Sequence, residues 1–365
     1  MTQRFTPIAI TAAALLIAAN SPSFAAAAPE GLPLWAWGVT TAPTTMGPGE
    51  VLPHGAPGSA TAPIGNVDNK EKISIQGAKG PFTRYEIGNR FGPADWFPQD
   101  HPVMPEIVHH GRQSKDEAKT PPVWACSLCH MPNGKGRPEN ANITGLPYDY
   151  FVRQMLDFKE GRRKTSDNRK TNTALMIVFA QQMTREEIEE AARYLTAIPS
   201  TPWIKVIESD TAPKTNARGG VFHTITGEGA GTEPLGNRIV ETPENAQQTE
   251  VLRNPRGMFI AYVPRGSVAK GKALATTGGG KTTACTVCHG DDLNGVGSVP
   301  ALAARSPSYL ARQINDFRQG ARKGDMNEIM RAVAVKLNND DILNLAAYTA
   351  SLPAPSTGAP GTAAR

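Results

Sequence analysis

Apolar residues recur at helical spacing in two separated parts of the chain. Ile188, Ala191, Ala192, Leu195 and Ile198 follow one face of an α-helix, and Ile342, Leu345, Ala346 and Leu352 repeat that rhythm approximately. Each run opens on a start signal, Thr184 with Glu187 and Asn338 with Asp341, the spacing of a capping box. Upstream of each lies a further helical stretch, 150 to about 161 and 308 to about 320. These end at Gly161 and Gly320, where glycine serves as the C-terminal stop. Ser267 is positioned to cap a short helix over 268–274. The pattern predicts units of about three short helices joined by Gly- and Pro-rich loops.

The two helical regions are copies of each other. A shift of 159 aligns YFVRQMLDFKEGRRK (150–164) with YLARQINDFRQGARK (309–323), matching Tyr150 to Tyr309, Gln154 to Gln313 and Asp157 to Asp316. A shift of 154 aligns MTREEIEEAARYL (183–195) with LNNDDILNLAAYT (337–349), so the first copy has five extra residues between 164 and 176. Identities at two fixed shifts mark two homologous domains, 105–200 and 263–353.

The remaining chain is less regular. Residues 1–27 hold Arg4, an apolar run over 8–19 and small-residue cleavage candidates, the layout of a secretory signal peptide. The apolar run is shorter than the ~20 residues of a membrane span, and no other stretch approaches that length. Residues 28–104 form an irregular Pro-, Gly- and Thr-rich extension that starts with LPLWAWG. Trp35 and Trp37 in it either pack onto a domain, the favoured reading, or form a partner-binding patch. Residues 201–262 are a linker with room for a hairpin or two around 219–240, and 354–365 is a low-complexity tail expected to be disordered.

Composition sharpens the question of what fills the cores. Only 6% of residues are aromatic, against 35 Gly and 31 Pro. A unit of about 90 residues with so little bulky apolar side chain needs a staple or a large cofactor. The formal charge of +5 comes from interspersed Lys, Arg, Asp and Glu. That arrangement gives no reason to expect nucleic-acid binding.

All four cysteines fall in two pentapeptides, CSLCH (126–130) and CTVCH (285–289). In an exported protein, two disulfides are the first reading. A bare CxxC also admits thiol–disulfide exchange or half of a zinc site. The histidine after each second cysteine favours haem attachment: Cys126, Cys129, Cys285 and Cys288 as thioether anchors, with His130 and His289 reaching the iron. A zinc site would need the two pairs to converge, yet each sits inside its own complete repeat. Two covalent haem c groups also answer the core deficit.

With these residues in view, the chain resembles the class I cytochromes c. The CxxCH motifs, the YxxRQxxDFxxGxR helix, a late Met and a final LxxxDIxxLAAY helix carry the resemblance, over about 105–199 and 263–352. It is most similar to dihaem proteins of the cytochrome c4 type and to cytochrome subunits of periplasmic dehydrogenases. The resemblance implies an all-α fold of two tandem cytochrome c domains. It also implies a methionine as sixth iron ligand, which by position is Met330 in the second repeat and Met176 in the first. Met326, Met183, Met155 and Met131 are the competing methionines, otherwise core residues. A loop proline carbonyl orienting each proximal histidine is further implied, Pro300 in the second domain and Pro138 in the first. His54, His101, His109, His110 and His223 are read as solvated loop residues. Arg153, Arg312, Gln154 and Gln313 either face haem propionates or lie on the helix surface.

His/Met ligation fills both axial positions, which suits electron transfer rather than substrate binding. The expected function is therefore a periplasmic carrier of single electrons between a dehydrogenase and a cytochrome or terminal oxidase. Lys159, Arg162, Arg163, Arg318 and Arg322 are expected to ring exposed haem edges as docking charges. The alternative is a dihaem enzyme of the peroxidase type with an open or labile first haem. It draws on Met131, where Gly290 follows the second motif, and on the five-residue insert before Met176. A partner-tethering module is a third class, suggested only by the long extension.

Overall fold

Capping boxes and glycine stops delimit the main helices. The computed structural model describes residues 31–38 and 70–355, apart from 117, 118, 219 and 325. The leader assigned to 1–27, His54 and residues 356–365 of the tail lie outside the described residues. A short turn over Leu34–Trp37 is followed by a two-stranded hairpin, β1 (Lys72–Ile73) and β2 (Phe82–Thr83), and by α1 (Arg84–Ile87). The first repeat contains α2 (Glu106–His109), α3 (Cys126–His130), α4 (Tyr148–Lys159), α5 (Thr171–Gln182) and α6 (Arg185–Ala197). The second contains α7 (Ser267–Thr277), α8 (Thr286–His289), α9 (Pro307–Arg318), α10 (Asn327–Ala334) and α11 (Asn339–Ser351). Among the described residues each repeat thus has five α-helical segments where about three helices were expected. The attachment motif is itself a helical turn, and the segment holding the late methionine is helical too.

Both predicted capping boxes form. Thr184 accepts from the Glu187 N–H and Asn338 from the Asp341 N–H, and each carboxylate accepts from the cap's own N–H. Ser267 differs from expectation: it is the first residue of α7 and makes no capping bond. The Val268 N–H is taken instead by the Glu208 carboxylate at 2.9 Å, so a neighbouring strand supplies the acceptor. Gly271 explains how closely α7 approaches α11. A Cβ there would meet the Asn344 carbonyl oxygen at 2.0 Å, so only glycine lets the two helices touch.

The expectation of an all-α chain describes the repeats but not the segment between them. That segment folds into β3 (Ile204–Glu208), β4 (Thr211–Pro213), β5 (Thr215–Arg218), β6 (Val221–Thr224), β7 (Thr232–Pro234) and β8 (Val240–Pro243), and β9 (Phe259–Val263) leads into the second repeat. β9 is central in a three-stranded sheet, parallel to β3 and antiparallel to β8, while β5 and β6 form a hairpin and β4 pairs with β7. The physical reason is visible in β9, FIAYV, where Phe259, Ala261 and Val263 are buried and Ile260 and Tyr262 less so. This is the period of two that a half-buried strand requires.

Two main cores are built on the repeats. One gathers Phe151, Val152, Phe158, Ile188 and Leu195 from α4 and α6. The other gathers Leu310, Ile342, Leu345 and Ala346 from α9 and α11, and it also takes in Trp35 and Trp37. The extension tryptophans therefore pack onto the second repeat, with Trp37 2% exposed. A smaller core of Ile87, Trp96, Phe97 and Leu252 ties the extension to the linker, and Trp96 Nε1 donates to the Leu252 carbonyl at 2.7 Å.

Candidate haem sites and the interface between the repeats

The two attachment motifs open into one cavity of about 490 Å³, lined from both repeats. Cys126, Cys129, His130 and Met176 line it on one side, and Cys285, Cys288, His289 and Met330 on the other. The four cysteines are unpaired with one another, so no disulfide forms. Burial pushes the Cys126 thiol up to about 12 and Cys285 up to about 11. A thiol held un-ionised is a poor nucleophile, which argues against exchange chemistry at Cys126 and Cys285. Among the described residues, no group of three or more His, Cys, Asp or Glu side chains gathers as a metal cluster, as a zinc site would need.

Each motif histidine is aimed by a backbone carbonyl. His289 Nδ1 lies 2.8 Å from the Pro300 carbonyl oxygen and His130 Nδ1 lies 2.9 Å from that of Ala141. Burial lowers the pKa of both imidazoles, and each carbonyl bond opposes that shift. A neutral ring that donates from Nδ1 leaves the Nε2 lone pair free to ligate. Pro138 does not take the role expected of it. Its carbonyl accepts from Arg312 Nη2 at 2.6 Å, because residue 138 lies three positions before the one equivalent to Pro300. The 159-residue shift carries Pro300 to Ala141, so the correct carbonyl could be found by counting rather than by looking for a proline.

Met176 and Met330 lie within α5 and α10 and face the cavity. Met155, Met183 and Met326 line the same cavity, Met155 and Met183 being also buried at 6% and 3% in the first core and Met326 exposed, while Met131 does not line it. Among the described residues, no histidine other than His130 and His289 lines it. His101 hydrogen-bonds Asp95 and Tyr194, His109 stacks on His110, and His110 pairs with Glu106.

The expected docking charges are elsewhere. Arg163, Arg318 and Arg322 are buried. Arg318 bonds the Leu337 carbonyl and Asn339 at the start of α11, while Lys159 Nζ bonds the Met183 carbonyl just after α5. Arg162 pairs with Asp157. Arg163 and Arg322 cross between the repeats, each reaching the Tyr and Gln of the other copy. Arg163 Nη2 donates to Gln313 at 2.8 Å and Tyr309 at 3.3 Å, and Arg322 Nη2 donates to Gln154 at 2.5 Å and Tyr150 at 2.6 Å. Lys164 N–H donates to the Ala321 carbonyl and Lys323 N–H to that of Arg162, a reciprocal pair about a local two-fold axis.

Arg163, Lys170, Arg305, Arg312 and Arg322 are buried and line the cavity, with Glu139, Asp157 and Asp316 as the buried acids beside them. Burial lowers Lys170 well below its usual range and brings Arg305 down to about 10, and Arg322 Nε has no hydrogen-bond partner among the described residues. Surplus buried cations and an orphaned donor are what a site for bound carboxylates needs. The residues present therefore fit haem, with thioether anchors at the cysteines and propionates among the cations. Arg305 and Lys170 escaped sequence reasoning, since neither matches a residue of the other repeat.

The family model described as Cytochrome c matches residues 268–353. Cytochrome c4 of Azotobacter vinelandii is 43% identical over 234 residues, 62% of this chain and 84% of that protein. The chain belongs to the cytochrome c4 family. This c4-type cytochrome is a dihaem class I protein with covalently attached haem c that serves in electron transfer and is not an enzyme. It is also 25% identical over 241 residues to the thiosulfate dehydrogenase electron acceptor of Stutzerimonas stutzeri, 65% of this chain and 83% of that one. A solved thiosulfate dehydrogenase, TsdBA from Marichromatium purpuratum, is 26% identical with a TM-score of 0.41, covering 65% of this chain and 38% of its own. No described helix of this cytochrome is long and apolar enough to cross a membrane.

Proposed function

We propose that this cytochrome carries single electrons in the periplasm, taking them from a dehydrogenase and passing them to a cytochrome or a terminal oxidase. The carrying observation is the paired donor set: a carbonyl-aimed histidine in each CxxCH turn and a helix-borne methionine, both facing one shared cavity. In this reading Cys126 and Cys129 anchor the first haem, and Cys285 and Cys288 the second. His130 with Met176, and His289 with Met330, fill the axial positions. A haem iron ligated by His and Met supplies one-electron exchange with no open coordination position. The chain's part is to fix both rings, exclude water with apolar walls and hold the propionates among Arg163, Arg305, Arg312 and Arg322. The domain limits 105–200 and 263–353 belong to the proposal, supported by a separate core in each. A dehydrogenase donor is suggested by the relative named as an electron acceptor of thiosulfate dehydrogenase. Periplasmic export is suggested by the leader-like pattern of residues 1–27.

The test is the visible and near-infrared spectrum of the oxidised, haem-loaded protein. Two haems' worth of the weak sulfur-to-iron band is expected, and Met176→Ala and Met330→Ala should each remove half of it. A high-spin haem in the unsubstituted protein, together with peroxide turnover, would sink the reading.

A further inference from the structure

The first attachment motif differs from the second at the residue that follows the histidine. Met131 has φ 62° and ψ 157°, nearly the backbone of Gly290 at φ 81° and ψ 159°. That region is essentially glycine-only, and a side chain there costs about 1–3 kcal/mol. Met131 bears the strain and is still 2% exposed. Its sulfur receives Arg253 Nη2 at 3.9 Å.

Arg253 comes from the segment between the repeats and is unusual in two ways. Its own φ is 53°, and it is 5% exposed. The nearby carboxylates Glu139 and Glu250 are ion-paired with Arg137 at 2.5 and 2.7 Å, leaving Arg253 seated on a thioether. Burial lowers its pKa to about 10, so it is charged at neutral pH. Met131 follows Cys129 by two residues, so the guanidinium on its sulfur lies at that end of the first attachment motif. Two strained residues that meet to bury a cation with no ion pair among the described residues need a compensating purpose. The second motif has no such cover: Cys288 is exposed, and Val287 is 72% exposed where Leu128 is 7%.

We propose that Arg253, seated on Met131, holds a fixed positive charge beside the Cys129 edge of the first haem and raises that haem's reduction potential relative to the second. The inference rests on the dihaem reading above. Reduction adds one electron to the iron, and a nearby cation in a low-dielectric site stabilises the added charge. Arg253 is a positioning residue: it acts through the field it sets and ligates nothing.

The experiment is a potentiometric titration of the haem-loaded full chain, with dithionite supplying one electron to each iron. Met176→His and Met330→His identify which wave belongs to which haem. Arg253→Gln is expected to lower the first-haem wave by about tenfold in the reduction equilibrium, about 59 mV for one electron, and to leave the second in place. Arg253→Lys should keep the first wave near its original position. Met131→Gly removes the seat and the strain together, so the same wave should fall. An Arg253→Gln wave that does not move, moves equally for both haems or moves only for the second overturns the proposal. If Arg253→Gln does not fold, an unmoved first wave in Met131→Gly overturns it. If neither histidine variant marks a wave, the ligand reading has failed instead; Arg253→Gln and Met131→Gly moving the same single wave then supports this one, and any other pattern overturns it.

Discussion

Arg163 and Arg322, 159 positions apart in sequence, face each other in a single antiparallel bridge at the contact between the repeats. Each guanidinium reaches the tyrosine and glutamine of the opposite copy. The two copies of one helix ending thus recognise each other, and like charges are brought together on the cavity wall, where bound carboxylates would offset them.

Replacing one arginine should therefore loosen the interface. Arg322→Met leaves the half-buried Tyr150 and the buried Gln154 without their donor and should cost about 1–3 kcal/mol in the haem-loaded protein. Urea unfolding checks the figure. A double-mutant cycle with Arg163→Met should be non-additive, since both side chains belong to one network.

Pro300 should prove less special than its position suggests. Its role toward His289 is played by a carbonyl, and in the first repeat Ala141 offers the same oxygen to His130. Pro300→Ala should leave the visible spectrum unchanged and cost no more than about 1 kcal/mol through added freedom of the unfolded chain. A changed spectrum would show that the ring itself matters.

The helices, their caps and both haem motifs were legible because each rests on local chemistry: Thr184 with Glu187, Gly320 after α9, Cys285 three residues before Cys288. The strands of the linker were legible only as a suggestion of hairpins, since β3 finds its parallel partner β9 more than fifty residues away. The basic residues were misread because charge alone does not reveal burial. Arg318 and Arg163 look like surface charges until α11 and the opposite repeat close over them. Pro138 was misplaced because a residue type was sought where a backbone oxygen was needed.

Trp37 should anchor the extension. It is 2% exposed in the second core, and the neighbouring Ala36 carbonyl accepts from Arg312 at 2.8 Å. Trp37→Ala should cost about 3–5 kcal/mol by leaving a cavity. Limited proteolysis should then cut the extension near residue 38 well before either repeat, and simultaneous loss of all three regions would show that the tryptophan supports more than local docking.

Asp316 should make stability fall as pH rises through the weakly acidic range. Burial raises its carboxyl from near 3.8 to about 6, opposed by bonds from the Ser166 hydroxyl and N–H and by the attraction of Arg322 and Arg163. The native state therefore holds this proton more tightly than the unfolded chain does. The group's contribution is fully present below about 3.8, is lost as pH rises to about 6 and stays lost above. A shift of this size corresponds to something on the order of 3 kcal/mol. Asp316→Asn removes the titration, so its stability relative to the parent should be higher at pH 7 than at pH 4. Urea midpoints measured across that range decide the matter, and a difference between the two proteins that stays constant from pH 4 to 7 would show that Asp316 ionises as freely in the fold as in the unfolded chain.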